Sequence, residues 1–108
     1  MRVFISIPQN GRTDDEVAAE KRKIMEWAAN LAAQEHGENH DEVEFIDSYI
    51  QKGCVLEGDR SGVWYLGESL QRLAAADLVV FATGAEKARG CKIEMEVCKA
   101  YGIPFRFR

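Results

Sequence analysis

Long apolar runs are absent from this chain, and none approaches the roughly 18 residues that a membrane-spanning helix needs. The opening "MRVFISIPQNG" has too short an apolar stretch for a secretory leader, so no membrane partner is expected and the cytoplasm is the simplest compartment. Cysteine is scarce. Cys54, Cys91 and Cys98 make an odd count without C-x-x-C spacing, which suggests neither a disulfide framework nor a zinc site. Positive charge is in deficit: 14 Lys and Arg against 18 Asp and Glu give a net charge of −4. A general nucleic-acid binder would need the opposite balance, so no nucleic-acid polymer is expected as a partner, although a local basic cluster could still hold one phosphate. Proline occurs only at 8 and 104, each at the border of a strand-like run.

What is present reads as an ordinary globular protein. The chain has 108 residues, 46% hydrophobic and 30% charged, which suits one domain over 1–108 with a single core. "RVFISI" (2–7) is a short β-branched run stopped by Pro8, and "PQNGR" (8–12) is a turn. "TDDE" (13–16) is a capping box that starts a helix to about Glu35, with Val17, Ile24, Ala28 and Leu31 on one face and Gly37 as its C-cap. "EVEFID" (42–47) predicts a second strand, 47–62 an irregular loop, and "VWYLGESLQRLAAA" (63–76) a helix. "DLVVFAT" (77–83) is the clearest strand. A Gly-bounded loop (84–90), a helix over "CKIEMEVCKAY" (91–101) with Gly102 as its C-cap, and a strand over "IPFRFR" (103–108) complete the chain. The order β-α-β-α-β-α-β predicts an α/β fold: a small doubly wound, Rossmann- or flavodoxin-like three-layer fold with a parallel sheet of about four strands.

Such sheets bind ligands beyond the carboxyl ends of their strands. The loops there bring Pro8, Asn10, Gly11, Arg12, Asp47, Ser48, Thr83, Gly84, Lys87, Arg89 and Gly90 into question. Two of the loops lead into helix N-termini, and with Arg12, Lys87 and Arg89 they suit an anion, unless these basic side chains are simply solvated. Asp47 suits ligand contact or loop capping equally. Glu94 and Glu96 lie early in the last helix, where the dipole favours acid. They point about 200° apart, so they cannot both face one ligand. Ile93, Val97 and Ala100 are expected to face the core. Glu94, on a stripe with Cys91, Cys98 and Tyr101, is then placed near the sheet mouth as either a helix-start carboxylate or a functional one. Cys91 is near a helix N-terminus, where a thiol is acidified, but no His or second acid is placed to make it a nucleophile. Trp64 and Tyr65 suit packing better than base stacking, and His36 and His40 flank a turn.

The segment "RGCKIEMEVCKAYGIP" resembles the G-x-x-x-E-x-G-x-A-x-x-x-G-x-P stretch of the nucleoside 2-deoxyribosyltransferase-like superfamily, with Gly90, Glu94, Gly102 and Pro104 matching in spacing and Ala100 falling near a small position. "ADLVVFA" (76–82) and "VFISIPQNGR" (3–12) resemble it too. "SIPQNGRTDDE", "WYLG" and "ARGCKIE" look closer still to a short, largely uncharacterised phage and bacterial branch. The resemblance implies cleavage or transfer at the N-glycosidic bond of a nucleoside or nucleotide, with Glu94 as nucleophile and no metal or organic cofactor. It further implies a site lined by Ser6, Asn10, Gly11, Arg12, Ser69, Arg89 and Gly90, and a homodimer or larger homo-oligomer. Glu96 falls where relatives carry a small residue. The chain also departs from the pattern: Ala88 stands where the family has an aspartate or serine for the sugar hydroxyls, and Ser69 replaces a second aspartate. The alternative is therefore a nucleotide-binding module without turnover.

Overall fold

A computed structural model describes residues 1–108 apart from Asn10, Ser48, Tyr49, Gln51 and Lys52. Among the described residues, strands β1 (Arg2–Ser6), β2 (Glu44–Phe45), β3 (Leu78–Phe81) and β4 (Phe105–Phe107) form one parallel sheet in the order β2-β1-β3-β4. Helices α1 (Asp14–His36), α2 (Asp59–Leu73) and α3 (Arg89–Tyr101) connect successive strands. The strand order reverses between β1 and β3, the place where a doubly wound sheet opens a crevice. No helix is long and apolar enough to cross a membrane among the described residues.

Period-2 alternation sorts the sheet's side chains into two cores. Val3, Ile5, Leu78, Val80 and Ala82 pack with Ile24 and Ala28 of α1 on one face. Phe4, Val79 and Phe81 pack with Leu73 of α2 and with Cys91, Met95 and Cys98 of α3 on the other. One helix thus covers one face and two cover the opposite one. The small side chain of Ala28, fully buried, lets α1 come close to the sheet. At the sheet edge, Arg106 of β4 forks onto the Glu35 carboxylate of α1 at 3.3 and 3.0 Å. Phe105 and Phe107 stack around Phe81 on the other face, with ring centroids 5.8 and 5.5 Å away.

Local chemistry sets several boundaries. The Thr13 side chain accepts from the Glu16 backbone, and the Glu16 carboxylate accepts from the Thr13 backbone, closing the expected capping box. Gly37 and Gly102 end α1 and α3 in the left-handed region at φ of 68° and 69°. Other expectations are corrected. The first strand ends at Ser6 and not at residue 7. The second is two residues long, where 42–47 was expected, because a turn at His40–Glu42 uses up its start. Helix α2 begins at Asp59, four residues before the expected 63, so the irregular stretch is shorter than 47–62. Gly58, at φ 62°, turns the chain, and Ser61 bonds back to its carbonyl. The loop 84–90 contains a 3-10 turn at Ala85–Lys87, and α3 starts at Arg89.

Two substitutions test the packing. Phe81→Ala is expected to cost about 3–5 kcal/mol by removing the ring that joins β3 to β4. Ala28→Leu should cost about 1–3 kcal/mol by forcing α1 off the sheet. Urea unfolding measures both, and an unchanged midpoint for Ala28→Leu would mean the helix has room there.

Candidate functional site

Helix α3 presents a different face to the core from the one its hydropathy suggests. Cys91, Glu94, Met95 and Cys98 are buried, while Ile93 is 40% and Tyr101 80% exposed, and Ala100 is exposed. The expectation that Ile93, Val97 and Ala100 point inward is therefore corrected: Val97 is half-buried and the other two face outward. The acidic side chain goes in with its stripe because it finds partners there.

Those partners come from two other elements. Ser6, the last residue of β1 and 3% exposed, has its hydroxyl 3.4 Å from Glu94 Oε1 and 3.1 Å from Cys91 Sγ. The Ser69 hydroxyl, from α2, donates to Glu94 Oε2 at 3.4 Å. Both carboxylate oxygens are thus held by neutral donors at the carboxyl edge of the sheet, on the face covered by two helices. Among the described residues, no Lys, Arg or His nitrogen lies within 4.0 Å of Glu94. Burial pushes the Glu94 carboxyl up from 4.5 to about 7, against the opposing pull of the Ser6 and Ser69 hydrogen bonds. Burial likewise raises the thiols of Cys91 and Cys98, with the Glu94 charge adding to it. Cys98 reaches about 11, so neither is an activated nucleophile.

The structure brings Ser6, Ser69 and Glu94 together and takes the basic residues elsewhere. Arg12 donates to the Pro8 carbonyl and to Glu20, both at 3.1 Å, beside α1. Arg89 pairs with Asp59 of α2 at 3.3 Å in an exposed bridge. Arg12 and Arg89, expected to join in one anion cluster with Lys87, thus pair with different helices, α1 and α2. Gly11 and Gly84 adopt left-handed φ of 74° and 89° in the loops after β1 and β3, and Gly90 lies in the first turn of α3. Asp47 is exposed just after β2. Asn10 lies outside the described residues, as does Ser48. Glu96 is exposed and bonded to Lys99 at 3.4 Å, which suits a solvated helix residue.

Two surface cavities lie away from Glu94. A polar one of about 470 Å³ is lined by Arg12, Glu16, Ala19, Glu20, Lys23 and Arg108. An apolar groove of about 410 Å³ lies between Leu70, Leu73 and Ala74 of the α2 end and Val97, Tyr101 and Ile103. Lys23 and Arg108 carry no signal in the sequence that would have joined them to Arg12. Cys91 as a partner of Ser6 was equally hidden, since the two are 85 positions apart. Among the described residues no group of three or more His, Cys, Asp or Glu is arranged to hold a metal. Set against protein-family models, curated proteins and solved structures, the chain matches none of them.

The buried carboxyl makes stability depend on pH in a defined direction. The unfolded chain releases this proton near 4.5, whereas the folded one keeps it to about 7. Between those values the folded state binds more protons, so stability is fullest below 4.5 and falls as pH rises through 7. At about 1.4 kcal/mol per pH unit the loss approaches roughly 3 kcal/mol. Glu94→Gln, which cannot ionise, should escape it. Urea unfolding at pH 5 and pH 8 should show the variant gaining on the parent protein by about 2–3 kcal/mol. A constant difference would place Glu94 in ordinary, solvated surroundings.

Proposed function

We propose that this chain cleaves or transfers at the N-glycosidic bond of a nucleoside or nucleotide, with Glu94 as the nucleophile. The observation that carries the reading is the setting of that carboxyl. It is buried at the carboxyl edge of a parallel sheet, beside the strand-order switch, with a serine hydroxyl near each oxygen and, among the described residues, no cation within 4.0 Å. A site at this edge is where doubly wound folds place their ligands. The likeness of "RGCKIEMEVCKAYGIP" to the deoxyribosyltransferase-like segment supports the same assignment of Glu94.

The chemistry needs two steps. One Glu94 oxygen bonds to the anomeric carbon as the carbon–nitrogen bond breaks, and the electron pair leaves with the base, which takes up a proton. Water, or a ring nitrogen of another base, then bonds to that carbon; the ester carbon–oxygen bond breaks, the carboxylate returns, and the incoming nucleophile gives up its proton. The negative oxygen beside the sugar stabilises the oxocarbenium-like charge that builds up in both steps. A carboxyl near 7 is about half ionised at neutral pH and more basic than an ordinary glutamate, so its ionised form is the better nucleophile. Ser6 and Ser69 fix its two oxygens. Neither step calls for a metal or an organic cofactor. The same reading takes the ligand as a small molecule rather than a polymer, and the chain as a homodimer or larger homo-oligomer, because β2 and β4 leave both sheet edges open.

A second reading, a nucleotide-binding module without turnover, is favoured by Ala88. This residue caps the start of α3 with no side-chain hydrogen bond, where the resembled family carries a group for the sugar hydroxyls. The test separates the two. Incubation with pooled nucleosides, nucleoside monophosphates and dinucleotides, followed by intact-protein mass spectrometry, should give released base and a sugar adduct on Glu94. The adduct should be absent in Glu94→Ala, and the rate should rise with pH through about 7. No release from either protein, with a nucleotide raising the melting temperature, would establish the binding module instead.

A further inference from the structure

Ser6 has one hydroxyl proton and two acceptors within reach, Cys91 Sγ at 3.1 Å and Glu94 Oε1 at 3.4 Å. If the proton goes to sulfur, Glu94 keeps only the Ser69 bond while its charge is buried. Cys91 is 5% exposed, and burial keeps it a neutral thiol with a proton of its own to donate. We propose that Cys91 is a positioning residue for Glu94: its thiol donates to Ser6 Oγ, and this turns the Ser6 hydroxyl proton onto Glu94 Oε1 whenever the carboxylate is ionised. When Glu94 is protonated, the chain runs the other way. The carboxyl O–H donates to Ser6 Oγ, and the Ser6 hydroxyl donates to Cys91 Sγ. A thiol is both a weak donor and a weak acceptor, so it completes the chain in either state, but it counts for more in the ionised one, where the hydrogen bond it strengthens ends on a full charge; no proton leaves its heavy atom along the Cys91–Ser6 link, and only the two rotors turn.

The surroundings leave these hydrogen bonds as the main opponents of burial. Glu94 faces Ser6 from β1, Ser69 from α2, and Cys91 and Cys98 from its own helix. No cation lies within 4.0 Å among the described residues. A hydroxyl whose oxygen already accepts a hydrogen bond is a stronger donor, so the thiol acts on the carboxylate through Ser6 without touching it.

The inference rests on the reading that Glu94 works as an ionised carboxylate, but its test reads titration rather than turnover, and an inactive protein would give the same pattern. Protein labelled with carbon-13 at its glutamate carboxyls is titrated by NMR, the Glu94 signal being assigned by its loss in Glu94→Gln. Cys91→Ala should raise the Glu94 midpoint by about half a pH unit, the scale of one weak sulfur hydrogen bond. Cys91→Ser, a stronger donor, should leave it unchanged or lower it, and Ser6→Ala should raise it further than Cys91→Ala. A packing role alone would alter the melting temperature of both Cys91 variants without this opposition in sign. A midpoint that stays or falls in Cys91→Ala would overturn the proposal, showing that Ser6 spends its proton on the sulfur or that the thiol is a bystander. Should Cys91→Ala not fold, Cys91→Ser decides: a midpoint at or below that of the parent supports the chain, and a raised one overturns it.

Discussion

A carboxyl group taken out of water must find hydrogen-bond donors, find a cation, or keep its proton. Glu94 takes the first and third courses together. Two serine hydroxyls reach its two oxygens, and burial still leaves it protonated to about pH 7. Satisfying it draws in the end of β1, the second half of α2 and the second turn of α3 at once. The rotation of α3, the approach of α2 and the burial of Ser6 are all conditions on the same group. Had α3 turned Ile93 inward, more apolar area would be covered, but the carboxylate would move away from Ser6 and Cys91 would leave the core.

The unequal covering of the sheet separates two kinds of chemistry. On the two-helix face the carboxyl edge is framed by neutral donors and apolar walls, which suits a group whose protonation is to be tuned. On the one-helix face the polar cavity gathers Arg12, Lys23 and Arg108 with Glu16 and Glu20; Arg12 and Glu20 are half-buried there, and the other three are exposed. Arg12 is satisfied there by Glu20 and the Pro8 carbonyl. The end of β1 and the loop that follows it thus serve opposite sides: Ser6 turns toward α3 and Arg12 toward α1.

Much of the fold was legible in the sequence, because the signals that set it are local. The Thr13–Glu16 capping box, the C-caps at Gly37 and Gly102, and the β-branched runs of β1 and β3 all act within a few residues. The start of α2 was not legible: its N-cap, Gly58, offers no side chain, and Gly62 breaks the helical pattern of the first turn. Nor was the buried face of α3, since Ile93 and Val97 outrank cysteine and glutamate in hydropathy while the deciding contact lies 88 positions away. Glu94 itself was legible as a candidate through its stripe and its family resemblance, and Ser6 and Ser69 through the resemblance alone. The dispersal of Arg12 and Arg89 could not be read, because Glu20 and Asp59 capture them only once the helices have docked.

The placement of β1 has a consequence for how the chain emerges from a ribosome. Its strand is made first yet sits between β2 and β3, and the register Val3 to Leu78 through Ser6 to Phe81 joins residues made far apart in time. Once β2 is out, β1 can pair on one side. Its other edge, with Val3, Phe4 and Ile5, stays uncovered until residue 81 has been added, a wait of a few seconds at roughly 5–20 residues per second. Over that interval the nascent chain carries an apolar strand with one bare edge, the kind of surface on which chaperones act and neighbouring chains aggregate.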